Sequence, residues 1–223
     1  LACLLTHFFV EETLPQKQRV QLDGRIWARY FSIFTNRQFL RFACIAGLAE
    51  SVFFCFFSVS PFIIITIHGI ETHAFGYYFA IFGAVIALGG FVSGYVVEKA
   101  GTVTTITIGT LLIALGGTSM ALWQYLQGQS LSGFLLPMAV ACIGAMFLLG
   151  AAASRALEPF GHIAGTASAA FGCMDFGIAA ISGSLLMLFP ITSALPYAIA
   201  LVIFGLLLAA LILPVLKEPV EQV

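Results

Sequence analysis

Of the 223 residues, 61% are hydrophobic and 9% are charged, against about 25% charged in a typical soluble domain. Nine Lys and Arg against ten Asp and Glu leave a net charge of −1, which excludes the basic surface a nucleic-acid binder needs. A mean hydropathy of +1.06 argues against a soluble enzyme or a disordered tail and for a polytopic membrane protein.

The chain begins with an apolar stretch, Leu1 to Val10, only half a span long and without an initial Met. It lacks the basic leader and small-residue cleavage site of a signal peptide, so it reads as the end of a preceding transmembrane helix. Residues 11–37 follow as a polar, amphipathic linker with Lys17, Arg19, Arg25, Arg29 and Arg37. A bilayer core of about 30 Å needs roughly 20 apolar helical residues. Six runs meet that requirement, at approximately 38–67, 74–97, 104–126, 132–154, 163–189 and 194–216. They are too long, and too poor in alternation, for the strands of a membrane barrel. The expected fold class is all-α, with a six-helix bundle over 38–216 and a short tail at 217–223.

Orientation follows from the basic residues. With the linker placed in the cytoplasm, Lys99, Arg155 and Lys217 fall on the same side. Arg41 is close enough to that face to snorkel out, and the outward loops contain neither Lys nor Arg. The linker and the C-terminus are therefore expected in the cytoplasm. Trp123 and Tyr125 suit an outer interfacial belt. Five cysteines, Cys3, Cys44, Cys55, Cys142 and Cys173, stand in apolar stretches without a CxxC pair and read as small core residues. The four histidines lack metal-ligand spacing, although His68 and His73 flank Glu71 on the outer side. No metal site is expected.

An internal repeat is legible. Phe82-Gly83 and Ser93-Gly94 in the second run reappear as Phe171-Gly172 and Ser182-Gly183 in the fifth, each 89 residues on. The third and sixth runs echo one another more loosely, from Gly109 and from Gly205. Two related sets of three helices must lie inverted across the membrane, because three is odd. Such 3+3 repeats occur in secondary transporters.

Two acids interrupt the apolar runs, Glu50 and Asp175. A charge at mid-membrane costs roughly 2.5–3.5 kcal/mol on insertion scales, so such residues face a cavity, stay protonated or are paired. Counted from the cytoplasmic ends of their runs, both lie about 18 Å deep, near the midplane. Ser168, Phe171, Gly172, Ala179 and Ser182 share the face of Asp175. Phe53, Phe54 and Phe57 lie beside Glu50, an aromatic surface that suits a lipophilic, cationic compound. The competing reading of either acid is a buried carboxyl hydrogen-bonded to a neighbouring helix. The third and sixth runs have no internal charge and are expected at the periphery. No Ser/His, His/Glu or paired-Asp motif stands in the spans, so an intramembrane enzyme is not expected.

Between the second and third runs the chain reads Gly94-Tyr95-Val96-Val97-Glu98-Lys99-Ala100-Gly101. This resembles the G-x-x-x-[DE]-[RK]-x-G signature of the major facilitator superfamily, as carried by the C-terminal half of its members. In that loop Gly94 is expected to permit close helix approach, and Glu98 to offer a charge near a helix end. Lys99 is expected to stay at the lipid headgroups and Gly101 to allow the turn. Glu12-Thr13-Leu14-Pro15 with Arg19, Asn36 to Leu40, Ser60 to Ile63, and Gly165 to Ala169 are similar to elements of the Bcr/CflA-type drug-resistance branch.

The resemblance covers essentially the whole chain, but as one half of a twelve-helix transporter. It implies proton-coupled efflux of lipophilic or cationic compounds across a bacterial inner membrane, driven by the proton gradient without a cofactor. Asp175, Glu50, Ser168, Ser182, Phe54 and Phe57 are the expected substrate or proton pathway. The expected partners are the bilayer, a small-molecule substrate, and either the other half or a second copy. Carriage of a siderophore, sugar or amino acid, or a non-transporting membrane subunit, are the alternatives.

Overall fold

The computed structural model describes residues 26–217. The expected helix end at 1–10, the linker as far as residue 25 and the tail at 218–223 lie outside the described residues. Within them the chain is helical. The elements are α1 (Ile26–Thr35), α2 (Arg37–Pro61), α3 (Thr72–Gln127), α4 (Leu131–Leu157), α5 (Ala164–Leu186) and α6 (Leu195–Lys217). A π-helical turn, Phe62–Ile67, extends α2, and a 3₁₀ turn, Glu158–Ile163, joins α4 to α5. Four helical stretches are long and apolar enough to cross a membrane: Arg37–Ile67, Thr72–Gln127, Leu131–Leu186 and Leu195–Leu216. The six apolar runs of the sequence map onto these four stretches. Two adjacent runs fall in each long one, because their connections are too short to interrupt the helix for more than a few residues.

The 56 residues of α3 do not form one rod. At Gly101 the backbone takes φ 79° and ψ 167°, a left-handed conformation that only glycine adopts without strain. Packing shows what this break achieves. Gly89 approaches Ile143 and Met146, and Gly109 approaches Gly144 and Phe147. Twenty residues of straight helix would separate Gly89 from Gly109 by about 30 Å, yet both meet α4 within about one turn of it. The chain therefore doubles back at Gly101 into two limbs, 72–100 and 102–127.

Without water between helices, association in a bilayer depends on close van der Waals packing, and small residues permit it. A Cβ at Gly109 would lie 2.6 Å from the Gly144 carbonyl, and one at Gly116 2.8 Å from that of Pro137. These contacts set an antiparallel register between the second limb of α3 and α4. Carried to the start of that limb, the register brings Val103 level with Gly150, so the Gly101 turn with Lys99 lies at the same end of the bundle as Arg155. The same limb packs α6 through Gly117 on Leu201 and Ala114 on Gly205. Its remaining face, with Leu111, Leu115 and Leu122, is exposed, as are Ile203 and Leu206 of α6. Tyr197 ties α6 inward: its hydroxyl donates to the Val52 carbonyl at 2.9 Å and lies 2.9 Å from Met138 Sδ.

At the end of the bundle holding Lys99 and Arg155, polar side chains fasten the helix ends. Gln38 Nε2 donates to the Arg155 carbonyl at 2.9 Å, and Arg155 pairs with Glu158 at 3.3 Å. At the opposite end His73 pairs with Glu71 at 3.1 Å, both exposed, while His68 Nδ1 turns onto the Ile63 carbonyl at 2.9 Å. Cys55 and Cys142 are core residues as expected, but Cys44 is only half-buried and Cys173 is exposed. The apolar run around Cys173 belongs to a helix with one face open, so hydrophobic neighbours in sequence do not place it inside.

Candidate functional site

The two acids stand on α2 and α5, which pack side by side. Gly47 makes this possible, since a Cβ there would lie 2.8 Å from Ile178. On α5 the facing surface is built of Ala167, Ala170, Ala179 and Gly183, all buried. One turn beyond Gly47, the Ser51 and Ser182 hydroxyls are hydrogen-bonded across the interface at 3.0 Å. Ser51 also donates to the Gly47 carbonyl at 2.6 Å. The Gly47–Ile178 and Ser51–Ser182 contacts share one sequence offset, so α2 and α5 run parallel.

That register corrects the expected depths. It sets Asp175 level with Cys44, six residues and about 9 Å along the axis from Glu50. Counting from the ends of the runs assumes that both helices start at the same height. The 3₁₀ turn Glu158–Ile163 shifts the start of α5 relative to that of α2, so the count misplaces one acid against the other.

Asp175 is 8% exposed, and its Oδ1 has no hydrogen-bond partner among the described residues. Glu50 is half-buried. Neither acid belongs to an ion pair among the described residues. A buried carboxylate without a counter-charge is costly, so such a site favours uptake of a proton or approach of a cation.

Of the other expected pathway residues, Ser182 lies in the α2–α5 interface and Phe54 beside it, its ring 6.3 Å from that of Phe176. Phe57 turns elsewhere. It stacks with Phe53 at 6.5 Å and meets Phe79 at a tilt at 5.7 Å, beside a cluster around Phe56 that includes Phe82 and Phe134. Ser168 is exposed, two helical turns from Asp175 towards the start of α5. The structure thus places Ser182 and Phe54 at the α2–α5 interface, with Asp175 buried on α5 and Glu50 half-buried on α2, and leaves Phe57 and Ser168 apart. It adds Ser51 and Phe176, which face-matching at helical spacing misses. Each is the immediate sequence neighbour of an acid, and adjacent residues on a helix point about 100° apart.

The loop motif is arranged differently from expectation at Gly94. No heavy atom lies within 4 Å of a Cβ placed there, and the close approach occurs at Gly89 instead. A shared G-x-x-x spacing marks a possible seam but not which side of the helix receives a neighbour. Gly94 and Glu98 instead line an open groove of about 550 Å³ along the first limb of α3, with Gly90, Phe91 and Tyr95. Lys99 Nζ lies 4.4 Å from the centre of the Tyr95 ring, a cation–π contact. Gly101 makes the turn. Among the described residues no cluster of His, Cys, Asp or Glu is arranged to hold a metal ion.

Comparison with known proteins agrees with this architecture. The chain is 29% identical over 204 residues to a bicyclomycin resistance protein homolog of Haemophilus influenzae, covering 88% of this chain and 49% of that protein. It is 25% identical over 200 residues to a chloramphenicol resistance protein of Pseudomonas aeruginosa, covering 89% and 47% respectively. An uncharacterized MFS-type transporter of Bacillus subtilis is 27% identical over 190 residues, covering 83% and 46%. The chain spans about half the length of these curated relatives. The sequence profile of the Major Facilitator Superfamily matches residues 1–184. An all-helical, membrane-embedded chain with this match belongs to the Major Facilitator Superfamily of transporters, not to an enzyme family.

Proposed function

We propose that this chain is the C-terminal, six-span half of a proton-coupled exporter of lipophilic or cationic compounds in a bacterial inner membrane. The observation that carries the reading is Asp175, buried within the helix pair and without an ion-pair partner among the described residues. One of the two acids takes a proton when the site is empty and releases it to water when a cationic substrate binds. Phe54 and Phe176 supply the apolar wall, and Ser182 a neutral hydrogen-bonding group. Two relatives bear names of resistance to bicyclomycin and to chloramphenicol, which supports efflux as the direction. Residues 38–216 are the transmembrane bundle, preceded by a cytoplasmic linker and followed by a cytoplasmic tail.

The six-span reading is supported by the break at Gly101 and by the 3₁₀ turn Glu158–Ile163. A straight helix of 56 residues would be about 84 Å long, far more than the bilayer needs. Each limb of α3 alone exceeds the roughly 20 residues of a span. Three spans and a second, inverted three then account for the repeated Phe-Gly and Ser-Gly pairs. The test is cysteine labelling from outside in a background without native cysteines. Glu71→Cys and Gln129→Cys are expected to react and Lys99→Cys to be spared. Labelling of position 99 from outside overturns the topology.

The half requires a partner. Hydrocarbon cannot satisfy Asp175 and Glu50, and Tyr77, Ile81, Phe91, Phe176 and Ile181 are exposed on α3 and α5. The face bearing the acids is expected to pair with the other half or a second copy. Crosslinking in mild detergent measures this, and a transport-active monomer contradicts it.

A further inference from the structure

Helix α1 is built for a surface that the rest of the described chain does not provide. Asn36 takes an extended backbone and caps α2 by accepting from Phe39 N at 2.9 Å. The chain therefore turns between α1 and α2 instead of continuing as one helix. One edge of α1 packs on α2 and α5, with Ile33 fully buried and Tyr30 half-buried. Beside that edge Trp27, Phe31 and Phe34 are 84%, 72% and 40% exposed. Their spacing of four and three residues puts them in one stripe. Arg29 and Ser32 occupy the opposite side. Three large aromatic rings in line, open to the surroundings, are not the surface a helix presents to water.

We propose that α1 lies in the plane of the membrane surface, its Trp27–Phe31–Phe34 stripe sunk at the boundary of headgroups and acyl chains, and that it prefers anionic phospholipid. An in-plane amphipathic helix has this distribution of aromatic and basic residues. Charge complementarity selects the lipid. Arg29 and Arg37 form no ion pair among the described residues, and α1 itself carries no acid. The nearby carboxylate at this end of the bundle, Glu158, is already engaged by Arg155 at 3.3 Å and Gln38 at 3.3 Å. The segment before α1 carries Lys17, Arg19 and Arg25 against Glu11, Glu12 and Asp23, so the selecting charges are Arg29 and Arg37.

The anchor connects to the helices that bear the acids. Phe34 meets Phe39 edge-on at 6.1 Å, and Phe39 meets Phe160 at 5.8 Å. The rings run from the lipid-facing stripe to the start of α2 and the 3₁₀ turn that sets the height of α5. Lipid at α1 thus fixes the ends of the helix pair carrying Glu50 and Asp175. The inference rests on the proposed topology only for which leaflet is engaged.

The chain has two tryptophans, so Trp123→Phe leaves Trp27 as the sole emitter. The full chain is reconstituted in phosphatidylcholine vesicles, with and without phosphatidylglycerol. Lipids brominated near the headgroup end of the acyl chain are expected to quench Trp27, and aqueous iodide to quench it weakly. Brominated phosphatidylglycerol is expected to quench more than brominated phosphatidylcholine. Arg29→Gln and Arg37→Gln should each lower that preference roughly fivefold. A photo-crosslinking benzoylphenylalanine at position 31, in otherwise unaltered chain, gives a second reading as a phospholipid adduct. Free access of iodide places the stripe in water, and protection from both quenchers places it under protein. Either overturns the proposal, as does equal quenching by the two lipids. If Lys99→Cys is labelled from outside while Trp27 is still quenched by lipid, the topology fails and the anchor stands.

Discussion

Asp175→Asn is expected to leave the protein folded and inserted while weakening binding of a cationic substrate by roughly tenfold, the scale of a hydrogen bond to a charged group. A neutral substrate should lose little. The substitution is nearly isosteric, so packing against the small residues of α5 is preserved and the change is confined to charge and proton. In the wild type, cation binding should strengthen as pH rises, because the cation and the proton compete for one carboxyl group. Asparagine has no proton to release, and the profile should flatten. The measurement is binding of a cationic and a neutral compound by the assembled transporter from about pH 5.5 to 8.5. Identical profiles for the two proteins would make Asp175 a structural acid and pass the coupling role elsewhere.

Gly109→Ala is expected to destabilise the bundle by about 1–3 kcal/mol, the usual cost of overpacking a close contact. Its new methyl group would stand 2.6 Å from the Gly144 carbonyl and 2.9 Å from Phe147 Cβ. The first of these is backbone, so α3 and α4 must separate to admit it. Gly94→Ala is the control, because nothing lies within 4 Å of that position. It should leave the thermal stability of the chain in detergent unchanged or slightly raised, since alanine favours helix over glycine. Equal melting temperatures for the two variants would show that the α3–α4 seam does not hold the bundle together.

These two glycines mark what could be read in advance. Residue type alone announces a membrane protein, because hydropathy sums over single residues and needs no knowledge of neighbours. The apolar runs, the turn at Gly101 and the two acids within the spans are equally local. Left-handed backbone favours glycine wherever it occurs, and a carboxyl is expensive in hydrocarbon on any helix. The basic residues, too, announce one end of the bundle before any packing is known.

What the tertiary structure decided concerns pairs. Gly94 and Gly109 are the same residue in similar apolar helices, yet one is open and the other meets a carbonyl. The outcome depends on what the neighbouring helix places opposite. The 9 Å stagger of Glu50 and Asp175, the Ser51–Ser182 bond and the turning of Phe57 into another cluster have the same origin. So does the open aromatic stripe of α1, whose amphipathic pattern is visible in sequence but whose buried edge is chosen by α2 and α5. Hydrophobicity assigns each helix to the bilayer, but the register between helices is set by interlocking surfaces. A shift of one residue along a helix rotates its contact face by about 100°, and no composition or spacing within a single helix records which rotation its partner accepts.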